Sequence, residues 1–215
     1  MDLTPDLILK AYACGVFPMA DSSDSADVYW VDPKKRGILP LGSVHVPRRL
    51  RRTIKQAPYD VRIDTAFHDV MQHCAERTNQ RSETWINSAI FELYGRLFRM
   101  GYAHSVECWQ GDTLVGGLYG VRMGAAFFGE SMFHRATDAS KIALMYLVAR
   151  LRIGGFMLLD TQFITDHLKQ FGTIEISRDD YHARLEEALP MQADFYRLSA
   201  ASNPSDILQS VTQRS

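Results

Sequence analysis

Two carboxylates stand inside hydrophobic sequence, Glu130 in "FFGESMF" and Asp160 in "LLDTQF". Gln162 follows Asp160 closely enough that, in an extended chain, both side chains share one face. A carboxylate beside an amide orients an amine or a carbonyl. On pattern alone other roles stay open: Asp160 as a helix or loop cap, Glu130 as the partner of a buried arginine. Other chemistry finds less support. His45, His68, His73, His104, His134, His167 and His182 are dispersed and show no metal-ligand spacing. Cys14, Cys74 and Cys108 fit neither a disulfide framework nor a CxxC site. The glycines of "GGLYG" lack the strand-to-helix context of a phosphate-binding loop.

A second feature is charge. Lys34, Lys35, Arg36, Arg48, Arg49, Arg51, Arg52 and Lys55 fall in one segment with no acid among them. Such a block suits a polyanion, or else a solvated helix face balanced by acids elsewhere in the fold. The whole chain is nearly neutral, with formal net charge -1 over 215 residues. Its 46% hydrophobic and 23% charged residues are those of an ordinary globular protein. No apolar run approaches the roughly 20 residues that span a bilayer. "MDLTPDLILK" lacks the basic-then-apolar order of a signal peptide, so a cytoplasmic location is expected.

The candidate groups must be positioned by elements that the pattern suggests. Thr4-Pro5 reads as a helix start and Gly15 as its stop. "VPRRLRRTIKQ" reads as a short basic helix and "YDVRID" as a strand. "TAFHDVMQHCAER" and "NSAIFELYGRLFRMG" carry helical apolar spacing, with Thr65 and Asn87 or Ser88 as caps. "HSVECWQ" and "TLVGGLYGV" flank Gly111-Asp112 as a hairpin. "AAFFGESMF" and "FMLLDTQ" are joined by a helix that Asp138 caps and Gly154-Gly155 ends, so they should be adjacent and parallel. Both acids then fall near the carboxyl ends of neighbouring strands, where ligands of open sheets bind. A short helix, the strand "IEIS" and a helix opened by a capping box at Ser177–Asp180 follow. The tail from Ser199 reads as polar and frayed.

The residues also match a known family. "AYACGVFPM", "WVDPKKRGIL", "TWI", "GYAHSVECW", "LVGGLYGV", "FFGESMF", "ASKIAL", "LLDTQ" and "HLKQFG" occur in family order from Leu9 to Leu189. The chain resembles the bacterial leucyl/phenylalanyl-tRNA–protein transferases. The resemblance implies an α+β fold, with a small N-terminal domain (1–34) and a GNAT-like acyltransferase domain (35–215) ending in a polar tail. Its sheet would be mixed and mostly antiparallel, flanked by helices. The implied activity moves Leu, Phe and less readily Met from aminoacyl-tRNA to proteins beginning with Lys or Arg, marking them for degradation. No metal, no cofactor and no membrane are implied, and a monomer is expected.

By position, the resemblance gives Asp160 and Gln162 the task of orienting and deprotonating the acceptor's α-amine. It gives Glu130 the pairing with the acceptor's cationic first residue. Backbone N–H groups near Gly129 or Gln162 would serve the oxyanion. Leu118, Phe127, Met132, Leu144, Leu147, Leu151 and Leu159 would form the donor side-chain pocket; on sequence alone they are plain core residues. Trp85, Tyr94 and Tyr12 would stack near the terminal adenosine, and the basic segment Lys34 to Lys55 would hold tRNA phosphates. The chain departs from the family at Met19, where a Trp is common, and at Tyr29, His134 and Thr161. An acyl-CoA-dependent N-acyltransferase is an alternative, but "HRATDAS" stands where that class has its pyrophosphate loop. A non-catalytic tRNA-binding module would leave Glu130, Asp160 and Gln162 idle.

Overall fold

The computed structural model describes residues 3–23, 25, 27–77, 84–199 and 202–213. Thr4 caps helix α1 (Pro5–Ala13), its hydroxyl accepting the Leu7 N–H at 3.2 Å, and Gly15 leaves the helix at φ +80°. Strand β1 (Phe17–Met19) pairs antiparallel with β2 (Tyr29–Val31). Next come β3 (Lys35–Ile38), a 3-10 turn (Leu41–Ser43), α2 (Arg48–Lys55) and β4 (Asp60–Ile63).

Helices α3 (Phe67–Ala75) and α4 (Ser88–Arg99) lead into three long strands, β5 (Ala103–Gln110), β6 (Thr113–Met123) and β7 (Ala126–His134). Helix α5 (Ala139–Gly154) crosses to β8 (Leu158–Gln162). The chain closes with α6 (Asp166–Lys169), β9 (Ile174–Ser177), α7 (Arg178–Ala188) and α8 (Pro204–Thr212).

Seven strands form one mixed sheet in the order β4-β5-β6-β7-β8-β3-β9. Among the described residues only β7 and β8 pair in parallel, as a helical crossover requires. Alternate residues point to opposite faces, so the sheet separates two cores. Leu118 and Phe127 join α5 and Ile207 of α8 on one face, while Tyr119 and Phe128 join Tyr12, Phe67 and Tyr94 on the other.

Two local irregularities make the site. The β6 partner changes from Ser131 at Tyr119 to Gly129 at Gly120, so Glu130 is the extra residue of a β-bulge. A bulge re-aims the side chain it carries. Gly120 permits it: a Cβ there would lie 2.3 Å from the Phe128 carbonyl oxygen and 2.4 Å from the Phe127 ring. Beyond Phe128↔Asp160 the parallel strands part, β7 staying with β6 and β8 with β3. A cleft opens in that wedge.

The structure corrects three local expectations. Thr65 does not cap α3. Its hydroxyl donates to the buried Glu107 carboxylate, which also accepts the Thr65 and Ala66 N–H groups at 2.9 and 2.8 Å and thereby satisfies the helix start. Asp138 holds the N-cap position of α5 in a left-handed conformation but caps no backbone N–H; its carboxylate bonds Arg49 and Lys141 instead. The tail is not frayed throughout: Asn203 caps α8, and Ile207, Leu208 and Val211 are buried, with the helix packed on α5. Apolar residues on one face of a short capped helix outweighed the polar composition around them.

Candidate active site

The bulge turns Glu130 toward α1 and α4. Tyr12 donates to its Oε1 at 2.5 Å and Tyr94 to its Oε2 at 3.2 Å, while the two phenol oxygens lie 2.5 Å apart. Burial pushes the Glu130 carboxyl up to about 7, and the charge of Asp160 adds to this. The Tyr12 and Tyr94 hydroxyls and Arg36 pull the other way, because each favours the carboxylate. Burial and the facing carboxylate hold both tyrosines well above the ordinary phenol range, so they remain donors.

Asp160 is differently placed. It is fully buried and accepts Arg36 Nε at 3.0 and 3.1 Å, Arg36 Nη2 at 2.6 Å, the Tyr181 hydroxyl at 2.8 Å and the Gln162 N–H at 2.8 Å. Arg36 is 1% exposed, lies between the rings of Phe17 and Tyr181 at 4.4 and 4.5 Å, and donates Nη1 to the Gly15 carbonyl. Burial alone would lower this guanidinium, but Asp160 outweighs it and raises it.

Two expectations are corrected here. Arg36 is not part of a phosphate-binding surface, since its charge is sealed inside. The Asp160 oxygens are taken up by these donors, which tie β3, β8 and α7 together and leave no side of the carboxylate open to the cleft. The buried arginine pair that pattern allowed for Glu130 belongs to Asp160.

What Asp160 positions is Gln162. This residue adopts φ +55°, and the Phe163 N–H closes back on the Thr161 carbonyl at 2.6 Å. Such a tight turn at positive φ is costly for a residue with a side chain. The bond from its own N–H to Asp160 helps hold it, and that N–H is therefore not a donor for an oxyanion, contrary to expectation. The Gln162 side chain instead reaches the cleft, its Nε2 3.4 Å from Glu130 Oε1.

The cleft has a volume of about 1080 Å³ and both Glu130 and Gln162 on its wall. One lobe lies on the α5 face of the sheet and is lined by Leu118, Met132, Leu144, Leu147 and Leu159. Phe127 and Leu151, expected in this pocket, are fully buried and do not line it. Phe127 packs on Phe156 and Phe195 instead, at 6.3 and 5.7 Å. The other lobe opens beside Trp85, Phe17, Pro18 and Met19.

Trp85 is half-buried and offers the cleft part of its ring. Tyr12 and Tyr94 do not: both are fully buried, so neither face is open for stacking, and their hydroxyls serve Glu130. Phe163, 47% exposed on the cleft wall, was not anticipated, because nothing in "DTQF" marks a turn that throws it outward. Tyr181 was also missed; its place beside Asp160 comes from α7 packing on β8, a contact with no local signature.

Lys34, Lys35, Arg48, Arg49, Arg51, Arg52 and Lys55 are exposed. Leu50 and Ile54 anchor α2 in the core while its arginines face outward. Lys35 lies 3.6 Å from Glu175, and Arg49 bonds Asp138 at the head of α5. Basic helix and cleft are thus linked through α5, whose Ser140, Leu144 and Leu147 line the cleft. A carboxylate that titrates near neutrality, an adjoining amide, an apolar pocket and a cationic approach suit attack by an amine on an acyl group with an apolar side chain, delivered by a polyanionic carrier.

Comparison with known proteins gives the arrangement its relatives. The family model for leucyl/phenylalanyl-tRNA protein transferase matches residues 38–186, and the model for that family's N-terminal domain matches residues 1–34. A leucyl/phenylalanyl-tRNA–protein transferase of Caulobacter vibrioides is 56% identical over 212 residues, covering 99% of this chain and 98% of its own. One from Paramagnetospirillum magneticum is 62% identical over 195 residues, covering 91% and 93%. One from Rhizorhabdus wittichii is 60% identical over 191 residues, covering 89% and 77%. The chain belongs to the leucyl/phenylalanyl-tRNA protein transferase family.

Proposed function

We propose that this chain transfers leucine and phenylalanine, and less readily methionine, from aminoacyl-tRNA to the N-terminal amine of proteins that begin with Lys or Arg. The carrying observation is Glu130, a carboxylate turned into an apolar cleft by a bulge and raised to about 7 beside Gln162. The donor's side chain occupies the lobe of Leu118, Met132, Leu144, Leu147 and Leu159, which brings its ester carbonyl to Glu130 and Gln162. Trp85 and Phe163 flank the terminal nucleoside at the other lobe.

Glu130 takes a proton from the acceptor's α-ammonium. The neutral amine attacks the ester carbonyl, and the Gln162 amide N–H supports the oxyanion. The C–N bond forms, the ester C–O bond breaks, and the ribose oxygen leaves with the second amine proton. The same carboxylate favours acceptors with a cationic first residue. No nucleotide hydrolysis enters, since the ester is already activated.

In this reading the residues from 35 onward form a catalytic domain of GNAT type, supported by the parallel β7–β8 pair that parts at the site. Residues 1–34 form a small domain that contributes Tyr12. The enzyme acts as a cytoplasmic monomer and sends its products to degradation. The test is transfer of labelled leucine from leucyl-tRNA to peptides that differ only in a first residue of Arg, Lys or Ala. Transfer to the first two is expected; transfer to none, or equally to all three, overturns the reading.

A further inference from the structure

The donor lobe and the nucleoside lobe leave part of the cleft wall unused. That part is formed by His73, Glu76, Phe133 and Arg135. It lies on the α3 side of the sheet, where Phe133 packs in one core with Val70 and Cys74, whereas the apolar donor lobe lies on the α5 side. Glu130, held by Tyr12 and Tyr94 of that same core, faces the α3 side too. An acceptor whose amine meets Glu130 is therefore left this face for its first side chain.

Glu76 stands at the C-cap of α3. The negative end of the helix adds to its carboxylate there, so the position favours a cation. His73 and Arg135 occupy it. His73 Nδ1 lies 2.9 Å from Glu76 Oε1, and Arg135 Nη2 lies 2.8 and 2.6 Å from the two oxygens. Burial opposes ionisation, but His73 and Arg135 outweigh it and hold the carboxyl below its ordinary range, so Glu76 is an anion at neutral pH. The arginine is attached loosely. One nitrogen meets both oxygens, in place of the two-nitrogen fork that such contacts favour. The Arg135 and Glu76 side chains are 48% and 40% exposed. An ion pair so exposed contributes little to stability, and a cation arriving from outside can take the place of Arg135 at small cost.

We propose that Glu76 binds the cationic side chain of the acceptor's first residue, in exchange for Arg135, while Glu130 holds that residue's α-amine. This rests on the acceptor reading given above. Glu130 and Phe133 are three residues apart on β7, roughly 10 Å along a strand, and the His73 ring packs on Phe133 at 4.8 Å. A lysine or arginine residue spans that interval between two carboxylate side chains, its methylene stem passing Phe133. The charge of Glu130 draws such an acceptor into the cleft, but its oxygens already accept Tyr12 and Tyr94, and the amine takes what remains. Two anions at a fixed separation read a residue that carries two cations. A neutral or short first residue satisfies only one of them.

The test compares wild type with Glu76→Gln on two peptides that differ only in a first residue of arginine or citrulline, its uncharged near-isostere. The ratio of kcat/KM for the arginine peptide to that for the citrulline peptide should fall about tenfold, the worth of one charge-assisted contact, and the change should appear in KM. An unchanged ratio, whether both peptides lose equally or neither loses, overturns the assignment. A ratio that falls in Glu130→Gln and not in Glu76→Gln returns recognition of the cation to Glu130 and overturns it as well. Arg135→Met removes the internal competitor and should lower KM for the arginine peptide; an unchanged or higher KM overturns the exchange.

Argininamide, which carries both cations, is titrated separately into isotope-labelled protein. Saturable shifts at the Arg135 guanidinium and the His73 amide are expected in wild type and not in Glu76→Gln. Shifts of the same size in both, or in neither, overturn the site. Failure of the wild type to use leucyl-tRNA at all overturns the functional reading instead, and the argininamide titration still decides whether the site exists.

Discussion

Replacing Asp160 tests whether its carboxylate serves the fold or the chemistry. Asp160→Ala leaves the Arg36 guanidinium, 1% exposed, without its counter-ion. Breaking a buried pair in this way costs about 3–5 kcal/mol. For a chain of 215 residues each kcal/mol moves the melting temperature by about 2–4 °C, so a fall of roughly 6–20 °C is expected. Replacing both partners, Arg36→Met with Asp160→Leu, should recover much of the loss, because it removes both buried charges. The recovery is incomplete, since the Tyr181 hydroxyl and the Gln162 N–H lose their acceptor at about 1–3 kcal/mol each.

Asp160→Asn keeps the shape and removes the charge, so it should lie between wild type and Asp160→Ala. In all three variants Gln162 is held less firmly at φ +55°, and transfer should slow by the same factor for every acceptor peptide. Thermal denaturation beside labelled-leucine transfer reads both quantities. An Asp160→Asn protein that melts like wild type yet transfers nothing would mean that Asp160 touches the reacting atoms, and the positioning argument would fail.

Three further outcomes follow from the same geometry. Glu130 has its folded value raised from 4.5 to about 7, so the stability tied to its neutral form is lost as pH rises through that interval. Glu130→Gln should therefore melt above wild type near about pH 8 and match it near about pH 4, while the rise in transfer rate across neutrality disappears; a retained rise would assign the proton to another group. Phe127→Ala should destabilise by about 3–5 kcal/mol and leave donor ranking unchanged, whereas Leu147→Ala should shift preference from leucyl toward phenylalanyl donors by about 1–3 kcal/mol. Competition between the two charged tRNAs checks this, and a changed ranking in Phe127→Ala would put that ring back in the pocket. Neutralising Arg48, Arg51, Arg52 and Lys55 together should flatten the salt dependence of the apparent KM for aminoacyl-tRNA, and an unaltered slope would take α2 out of the interface.

Much of the architecture is local and was legible in the sequence. Thr4-Pro5, Asn87 and Ser177 each cap the helix that their residue types announce. Two apolar strands joined by one helix did become parallel neighbours, because a crossover of that length permits little else. Nine short strings in family order, those around Glu130 and Asp160 among them, together suggested the family.

The division of labour between these residues was not legible, and the reason is physical. Whether a carboxylate is sealed or open depends on partners distant in sequence: Arg36 and Tyr181 close over Asp160, while Tyr12 and Tyr94 reach Glu130 from two other helices. A bulge one residue long decides which face Glu130 takes, yet it changes no residue type and breaks no period that a reader of one strand could see. Arg36 sits in a run of basic residues and is told apart from them only by the rings above and below it. Local composition and periodicity determine which elements form; burial and charge at the site are sums over contacts that exist only once those elements pack.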